Sequence, residues 1–260
     1  MVRRRLGQHF VADPNLLEMI VRESGVGPED VVLEVGGGPG ALTERLAPRV
    51  RRLHVIELDE RLRDELEPVA AEHGNVAVIW ADALRLDLRE LDPPPTKVVS
   101  NLPYSIATPV ILKTIEELEE ARFWTLLVQR EIAERLRAAP GSRVYGAPSV
   151  LVQLAAEVEL LRTVDRAVFR PRPRVDSALL ALRRRGPAAS EPVRRIVHDA
   201  FTHRRKSLAR SLELATADER DGRRQAARTA LSELGLPEDA RAEALSPQEF
   251  VRLADSLARA

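Results

Sequence analysis

A glycine-rich segment, residues 36–40 with the sequence G-G-G-P-G, restricts the possible folds of this chain more than any other feature. It follows an apolar run at residues 31–35 that is typical of a buried strand, and a helical pattern with Leu42 and Leu46 on one face comes next. Glycines allow a tight turn between strand and helix, and they let a ligand lie against bare backbone. The segment therefore predicts a strand–turn–helix unit with a ligand at the turn.

The alternation of strand and helix patterns continues along the chain. Further strands are predicted at residues 53–56, 76–80, 97–100, 123–128, 157–164 and 177–183, and helices at about 59–72, 106–118 and 130–137. From residue 192 onward only short helices are predicted, at about 192–201, 205–214, 222–234 and 247–258. Strands that alternate with helices indicate a mostly parallel sheet covered on both faces. We therefore expect an α/β domain over residues 1–186 and a small all-α domain over 187–260.

The composition excludes several classes of protein. The 260 residues are 44% hydrophobic and 31% charged, which is ordinary for a globular protein in water. No apolar run approaches the length of a membrane span, and the N-terminus lacks the apolar stretch of a signal peptide. The chain has no Cys, and its five His lack metal-ligand spacing, so we expect neither disulfides nor a metal site, and a cytosolic location fits.

Basic residues are clustered although the net charge is zero. Residues 162–185 contain eight Arg against two Asp. The other clusters are Arg3, Arg4 and Arg5, and Arg194, Arg195, Arg204, Arg205, Lys206 and Arg210. Segregated charge of this kind can guide a phosphate backbone to the protein. Only three of the 40 basic residues are Lys, however, so Arg is enriched throughout the chain, and a solvated ion pair explains any single Arg more simply.

The glycine loop alone does not identify its ligand. Residues 34–40 match acid-x-G-x-G-x-G, and with Ala41 they also match the dinucleotide pattern G-x-G-x-x-A. Glu57, about 20 residues after the loop, could accept hydrogen bonds from ribose hydroxyls in either kind of site. Asp82, after the third strand, could accept from an adenine amino group, and a helix cap or a solvated loop acid is the alternative.

A four-residue corner, Asn101-Leu102-Pro103-Tyr104, favours S-adenosylmethionine (SAM) as the ligand. It follows the fourth strand at the carboxyl edge of the sheet, where α/β proteins bind ligands. Pro103 biases Leu102 away from helix, so the Asn101 side-chain oxygen and the Leu102 carbonyl can accept hydrogen bonds from an NH2 on a planar ring. Tyr104 can stack on that ring. A plain strand-to-helix turn is the alternative, but an NAD enzyme has no evident use for the corner, which favours a methyltransferase.

Motifs over nearly the whole chain resemble those of the rRNA adenine N6,N6-dimethyltransferases of the KsgA/RsmA type. Besides the loop and the corner, they are residues 6–11 (L-G-Q-H-F-V, similar to the family's G-Q-N-F-L), 55–59, 82–83, 129–135, 145–146, 169–177 (F-x-P-x-P-x-V-D-S) and 200–208. The resemblance implies a Rossmann-like class I SAM-dependent methyltransferase sheet with a small C-terminal all-α domain. It also implies dimethylation of adenosine N6 in small-subunit (16S) rRNA, in a pre-30S particle, by a cytoplasmic monomer.

The resemblance further implies roles for individual residues. The SAM site would be lined by His9, Val11, Gly36, Gly38, Glu57, Asp82 and Asn101. His9 and Val11 stand where the family usually has Asn and Leu; His can still donate or accept a hydrogen bond, so we expect SAM binding to survive. The catalytic residues would be Asn101, Leu102 and Tyr104. The substrate would be contacted by Pro103, Tyr104, Phe169, Arg204, Arg205 and Lys206.

Two alternatives stay open at this point. The 23S rRNA methylases that confer macrolide resistance share the chemistry, but they typically carry Ile where this chain has Leu102, and segments 145–146 and 169–177 are more similar to the small-subunit enzymes. A hypothesis of another class is an assembly factor that chiefly binds RNA of the small ribosomal subunit, with methylation incidental or lost.

Overall fold

The computed structural model describes residues 8–215 and 220–259. Its strands are β1 (Phe10–Val11), β2 (Val31–Val35), β3 (Arg52–Glu57), β4 (Val76–Trp80), β5 (Lys97–Asn101), β6 (Phe123–Gln129), β7 (Ala156–Val164), β8 (Phe169–Arg170) and β9 (Ser177–Arg184). Its helices are α1 (Pro14–Ser24), α2 (Thr43–Leu46), α3 (Arg63–Ala71), α4 (Ala107–Glu117), α5 (Arg130–Leu136), α6 (Ala147–Ala155), α7 (Glu191–Thr202), α8 (Leu208–Ala215), α9 (Arg220–Glu233) and α10 (Pro247–Leu257). Arg3, Arg4, Arg5 and the start of the predicted motif at 6–11 lie outside the described residues.

The seven strands predicted from the sequence form one sheet in the order β4-β3-β2-β5-β6-β9-β7. Neighbouring strands from β4 to β6 are parallel, and β9 runs antiparallel to β6. The predicted α/β fold with a mostly parallel sheet is thus confirmed. The chain order reverses between β2 and β5, the position at which open parallel sheets bind ligands beyond their carboxyl ends.

Helix α1 was not predicted, although its sequence carries clear helix signals. The Asp13 carboxylate accepts hydrogen bonds from the backbone N–H of Asn15 and Leu16, and Pro14 is the first helical residue. Gly25 ends the helix in the left-handed conformation, with φ of 54°. Apolar residues at helical spacing bury one face in the core: Leu16, Leu17, Ile20 and Val21. The helix packs against β5, β6 and β9 of the sheet.

The described chain forms two compact units. The first extends to residue 133 and includes 157–184, and the second comprises 134–156 and the residues from 185 onward. Residues 134–156 thus group with the second unit, and the expected division into domains at 1–186 and 187–260 stays a prediction. These residues include helix α6, which was not predicted and packs against α7 and α10. The Tyr145 hydroxyl also donates to the Leu245 carbonyl (2.9 Å) in this unit.

A second, two-stranded sheet joins distant parts of the first unit. Strand β1 pairs antiparallel with β8, with Phe10 opposite Arg170 and Val11 opposite Phe169. The backbone N–H of Ala12 extends the pairing by donating to the Val168 carbonyl (2.8 Å). This small sheet fixes the N-terminal segment that carries His9.

Candidate active site

The glycine loop at the end of β2 is held against two other segments. Gly36 and Gly38 have positive φ, 83° and 57°. A Cβ at Gly36 would lie 3.1 Å from Cδ of Pro103, and a Cβ at Gly38 would lie 3.0 Å from the Phe10 ring. Both positions therefore require glycine for conformation and for close approach. The loop, the Asn101 corner and the N-terminal segment thus meet at the carboxyl edge of the sheet.

Glu57, the last residue of β3, is buried and organises the backbone around it. Its Oε2 accepts a hydrogen bond from the backbone N–H of Gly38 (2.9 Å), and its Oε1 accepts from Leu58 and Asp59 (both 2.8 Å). A carboxylate has about four acceptor sites. One site on Oε2 is left without a partner among the described residues, so Glu57 can still accept a hydrogen bond from a ligand hydroxyl.

Glu34, the acidic residue of the loop motif, is fully buried on β2. Its Oε2 accepts a hydrogen bond from the Thr43 hydroxyl (2.7 Å). Burial raises the pKa of the Glu34 carboxyl from its ordinary value of 4.5 to about 8; the Thr43 hydrogen bond opposes this rise, and the nearby Glu57 adds to it. Glu34 is therefore protonated at neutral pH. The sequence motif identified the residue but gave no indication of its protonation state.

The Asn101 side chain has a fixed orientation. Its Nδ2 donates to the backbone carbonyl of His9 (3.0 Å), so Oδ1 is the acceptor that remains, with no partner among the described residues. The backbone N–H of Leu102 donates to the Leu127 carbonyl (3.1 Å). The Pro103 carbonyl accepts from Ile106 (3.1 Å), whereas no described residue donates to the Leu102 carbonyl. The two acceptors predicted from the sequence are both available.

Tyr104 is held by contacts at both ends of its side chain. Its hydroxyl lies 2.5 Å from Oγ of Ser177, and its ring centroid lies 5.4 Å from that of His9, with the ring planes 34° apart. Burial raises the pKa of the Tyr104 hydroxyl, and the Ser177 hydrogen bond lowers it in part. His9 is fixed in turn, because its Nδ1 lies 2.7 Å from the Pro171 carbonyl. Sequence reasoning did not single out Ser177.

Three cavities adjoin one another at Gly36, which lines all of them. Their volumes are about 470, 330 and 300 Å³. Asp82 and Leu58 line the largest, His9 and Tyr104 the second, and Val11 the third. Every residue expected to contact SAM lines at least one of them: His9, Val11, Gly36, Gly38, Glu57, Asp82 and Asn101. The structure therefore brings the whole predicted set together in one unit.

Asp82 makes a local loop contact and also lines the largest of the three cavities. Its Oδ1 accepts a hydrogen bond from the backbone N–H of Leu84 (2.9 Å), which is a local loop contact. Its Oδ2 lies 3.6 Å from Nε of the exposed Arg85, and the residue also lines the largest cavity. The loop contact thus holds the carboxylate at the cavity wall, where it can accept from an amino group.

Phe169, an expected substrate contact, lies in the core of the first unit. Its side chain is fully buried in the hydrophobic core together with Val11, because β1 and β8 pair these two residues. It lines none of the three cavities. The expected contact of Phe169 with the substrate stays a prediction, and Tyr104 is the aromatic residue of the corner that lines a cavity.

The predicted basic clusters divide into paired and exposed side chains. In the first unit, Arg184 donates to the backbone carbonyls of Ala121, Ile115 and Leu118 (2.7–3.0 Å), which is a structural role. In the second unit, Arg204 pairs with Glu243 (2.9 Å) and donates to the Arg143 carbonyl (2.6 Å). Arg205 and Lys206 are exposed in the turn between α7 and α8. These two side chains remain available for a phosphate backbone.

Within residues 8–215 and 220–259, no group of three or more His, Asp or Glu side chains is arranged to hold a metal ion. None of the helices in these ranges is long and apolar enough to cross a membrane.

Comparison with known proteins identifies the family. The sequence model of the family described as ribosomal RNA adenine dimethylase matches residues 1–259. The chain belongs to this family. It is 42% identical over 253 residues to ribosomal RNA small subunit methyltransferase A of Rubrobacter xylanophilus, covering 96% of this chain and 93% of the relative. It is 42% identical over 262 residues to the protein of the same name in Thermobifida fusca, covering 97% and 89% of the two chains.

Solved structures confirm the predicted fold. A dimethyladenosine transferase from Plasmodium falciparum matches with a TM-score of 0.77 at 23% identity, covering 94% of this chain and 96% of that chain. The 23S rRNA methyltransferase ErmE matches with a TM-score of 0.68 at 27% identity, covering 96% and 99%. The family and these folds confirm the predicted class I SAM-dependent methyltransferase sheet, SAM as the cofactor, and an rRNA adenine dimethyltransferase as the enzyme class.

Proposed function

We propose that this chain dimethylates N6 of adenosines, two adjacent ones, in a loop near the 3′ end of 16S rRNA. The curated relatives with 42% identity are named for the small-subunit enzyme, whereas the 23S methyltransferase ErmE is 27% identical, so the small-subunit substrate is favoured. The observation that carries the proposal is the Asn101 amide, which is oriented by the His9 carbonyl so that its oxygen is left as an acceptor.

The residues at the sheet edge fit SAM. Gly36 and Gly38 leave bare backbone where side chains would collide with neighbours. Glu57 keeps an acceptor site for a ribose hydroxyl, and Asp82 can accept from the adenine amino group of SAM. SAM, when bound, supplies an electrophilic methyl group on its sulfonium. The protein residues described next prepare the acceptor nitrogen.

The corner prepares the amino group of the substrate for attack. The lone pair of adenine N6 is delocalised into the ring, which makes this nitrogen a poor nucleophile. Oδ1 of Asn101 and the carbonyl of Leu102 would hold its hydrogens out of the ring plane, which favours a localised lone pair, and would stabilise the positive charge that develops on N6. No general base is required, because the ammonium product loses its proton to water.

Tyr104 would hold the adenine ring itself. Stacking of a base on an aromatic side chain is worth about 1–3 kcal/mol by truncation. The adenine must be unstacked to reach this corner, as in an RNA loop. Alignment of nitrogen and methyl group by these contacts supplies much of the remaining rate enhancement.

The biological setting is also part of the proposal. The substrate would be 16S rRNA in a pre-30S particle, with a role in ribosome biogenesis, and the enzyme would act as a monomer in the cytoplasm. The exposed Arg205 and Lys206 support contact with RNA phosphates, since both side chains lie in a turn without an ion pair among the described residues.

Methylation of small subunits that lack the modification tests the proposal. The protein is incubated with labelled SAM and such subunits, and the modified nucleosides are identified by mass spectrometry. We expect dimethyladenosine in 16S rRNA. Dimethyladenosine in large-subunit rRNA, or methylcytidine in either subunit, would contradict the proposal, and RNA binding without methyl transfer would favour the assembly-factor hypothesis.

The variant Asn101→Ala tests the role of the corner. We expect methyl transfer to fall by at least about 100-fold, by analogy with the loss of one preorganised group that stabilises charge in the transition state. Binding of small subunits should change by less than about twofold, because the phosphate contacts remain. Asn15→Ala, an exposed position on α1, is the matched control and should keep full activity.

A further inference from the structure

Ser177 is a fully buried polar residue next to the corner, and neither the sequence motifs nor the mechanism above gives it a function. The contact that the structure shows for its hydroxyl is the one with the Tyr104 hydroxyl, at 2.5 Å. A buried hydroxyl without a hydrogen-bond partner costs free energy. The hydrogen bond therefore stabilises the Ser177 hydroxyl and restricts the Tyr104 side chain.

The sheet topology explains why Ser177 reaches this edge. Strand β9 is antiparallel to β6, so its first residue lies at the carboxyl end of β6, where Ser177 is opposite Gln129. Asn101 lies at the same end, opposite Leu127 on the neighbouring strand pair. The carbonyl of Asp176 accepts from the backbone N–H of Arg130 (3.1 Å), which anchors the start of β9. Ser177 is therefore attached to the rigid sheet.

His9 supports the same aromatic side chain through its ring. Its ring contacts that of Tyr104, and its Nδ1 lies 2.7 Å from the Pro171 carbonyl. Pro171 and Ser177 both belong to the F-x-P-x-P-x-V-D-S segment, so this segment holds Tyr104 directly through Ser177 and indirectly through His9. The hydroxyl and the ring face of Tyr104 are thus fixed by separate contacts.

We propose that Ser177 is a positioning residue that, together with His9, fixes the plane of the Tyr104 ring on which the substrate adenine stacks. This inference rests on the proposed function and deepens it. A free Tyr104 ring would allow the stacked adenine to rotate, and N6 would then leave the acceptors at Asn101 and Leu102. Because methyl transfer needs alignment of the reacting atoms, such a loss affects the chemical step.

A double-mutant cycle on Tyr104→Phe and Ser177→Ala tests this inference. Tyr104→Phe keeps the stacking ring and removes its hydroxyl. Each single variant should lower kcat by about 3- to 10-fold, the effect of one lost hydrogen bond. The KM values for SAM and for small subunits should stay within about twofold. The double variant should be no slower than the slower single variant, because Ser177 acts through the Tyr104 hydroxyl.

Controls separate positioning from general stability. Ser24→Ala removes another buried hydroxyl in the first unit, one that bonds only to the Val21 carbonyl of its own helix, and should leave kcat unchanged. Thermal melts of all variants show whether they fold, and if Ser177→Ala does not fold, Tyr104→Phe alone decides the matter. Full kcat in Tyr104→Phe, or multiplied losses in the double variant, would overturn the inference. The proposed function would still stand in that case as long as the wild-type protein forms dimethyladenosine in 16S rRNA.

Discussion

Replacing Glu34 with Gln should make the protein more stable, and increasingly so as the pH rises. The folded state keeps this carboxyl protonated up to about pH 8, whereas the unfolded chain releases the proton near its ordinary pKa of 4.5. The folded state therefore binds one more proton between these values, and the free energy of unfolding falls by about 1.4 kcal/mol per pH unit as pH rises. Over the full interval the loss from this one residue is about 5 kcal/mol. Gln has no proton to release and can still accept a hydrogen bond from Thr43.

Urea denaturation of the wild type and of Glu34→Gln at pH 5, 6, 7 and 8 measures this effect directly. The stability difference between the two proteins should grow by about 3–4 kcal/mol from pH 5 to pH 8, since titrations elsewhere in the chain cancel at each pH. Glu44→Gln makes the same charge change at an exposed side chain on α2, and the stability difference from the wild type should stay within about 0.5 kcal/mol at every pH. A stability difference for Glu34→Gln that is constant with pH would refute the argument, because the carboxyl would then be ionised in the folded protein.

Two further substitutions test other contacts. Glu57→Gln should weaken SAM binding by about 10- to 100-fold in titration calorimetry, because an amide NH2 would face at least one of the three backbone N–H groups that Glu57 now binds. Glu60→Gln, at an exposed side chain, is the control. Equal affinities of the two variants for SAM would exclude a role of Glu57 in SAM binding. Arg184→Ala should lower the free energy of unfolding by about 3 kcal/mol in urea denaturation, because three backbone carbonyls lose their donor. Arg183→Ala removes a contact over the Phe123 ring and should lower it by less than about 1 kcal/mol. Similar costs for the two Arg variants would show that Arg184 has no special structural role.

The predictable part of this structure is the part encoded by local patterns. The seven sheet strands were predicted to within one residue at each end, and the five parallel ones, β2 to β6, are short apolar runs between turn signals. Helix α6 was missed because residues 147–155 are apolar without a clear polar face, so their periodicity is weak. Helix α6 lies among residues 134–156, which group with the second unit.

The site shows a second limit, which is set by contacts between distant residues. The pairing of β1 with β8 joins residues about 160 positions apart, and it buries Phe169 in the core. The local sequence, an aromatic residue beside a Pro-rich turn, is the same whether the ring is buried or exposed. Only the partner strand decides where the ring lies, so the burial of Phe169 could not be predicted from the local sequence.

At residue 9, where this chain departs from the motif, the main chain and the side chain make separate contacts. The family usually has Asn where this chain has His9, yet the contact that orients Asn101 is made by the main-chain carbonyl of residue 9. Any residue that keeps the backbone in place preserves that contact. The side chain acts elsewhere, on the Pro171 carbonyl and the Tyr104 ring. His at this position should therefore change how firmly Tyr104 is held while leaving the orientation of the Asn101 amide unchanged, which separates the two functions of the N-terminal segment.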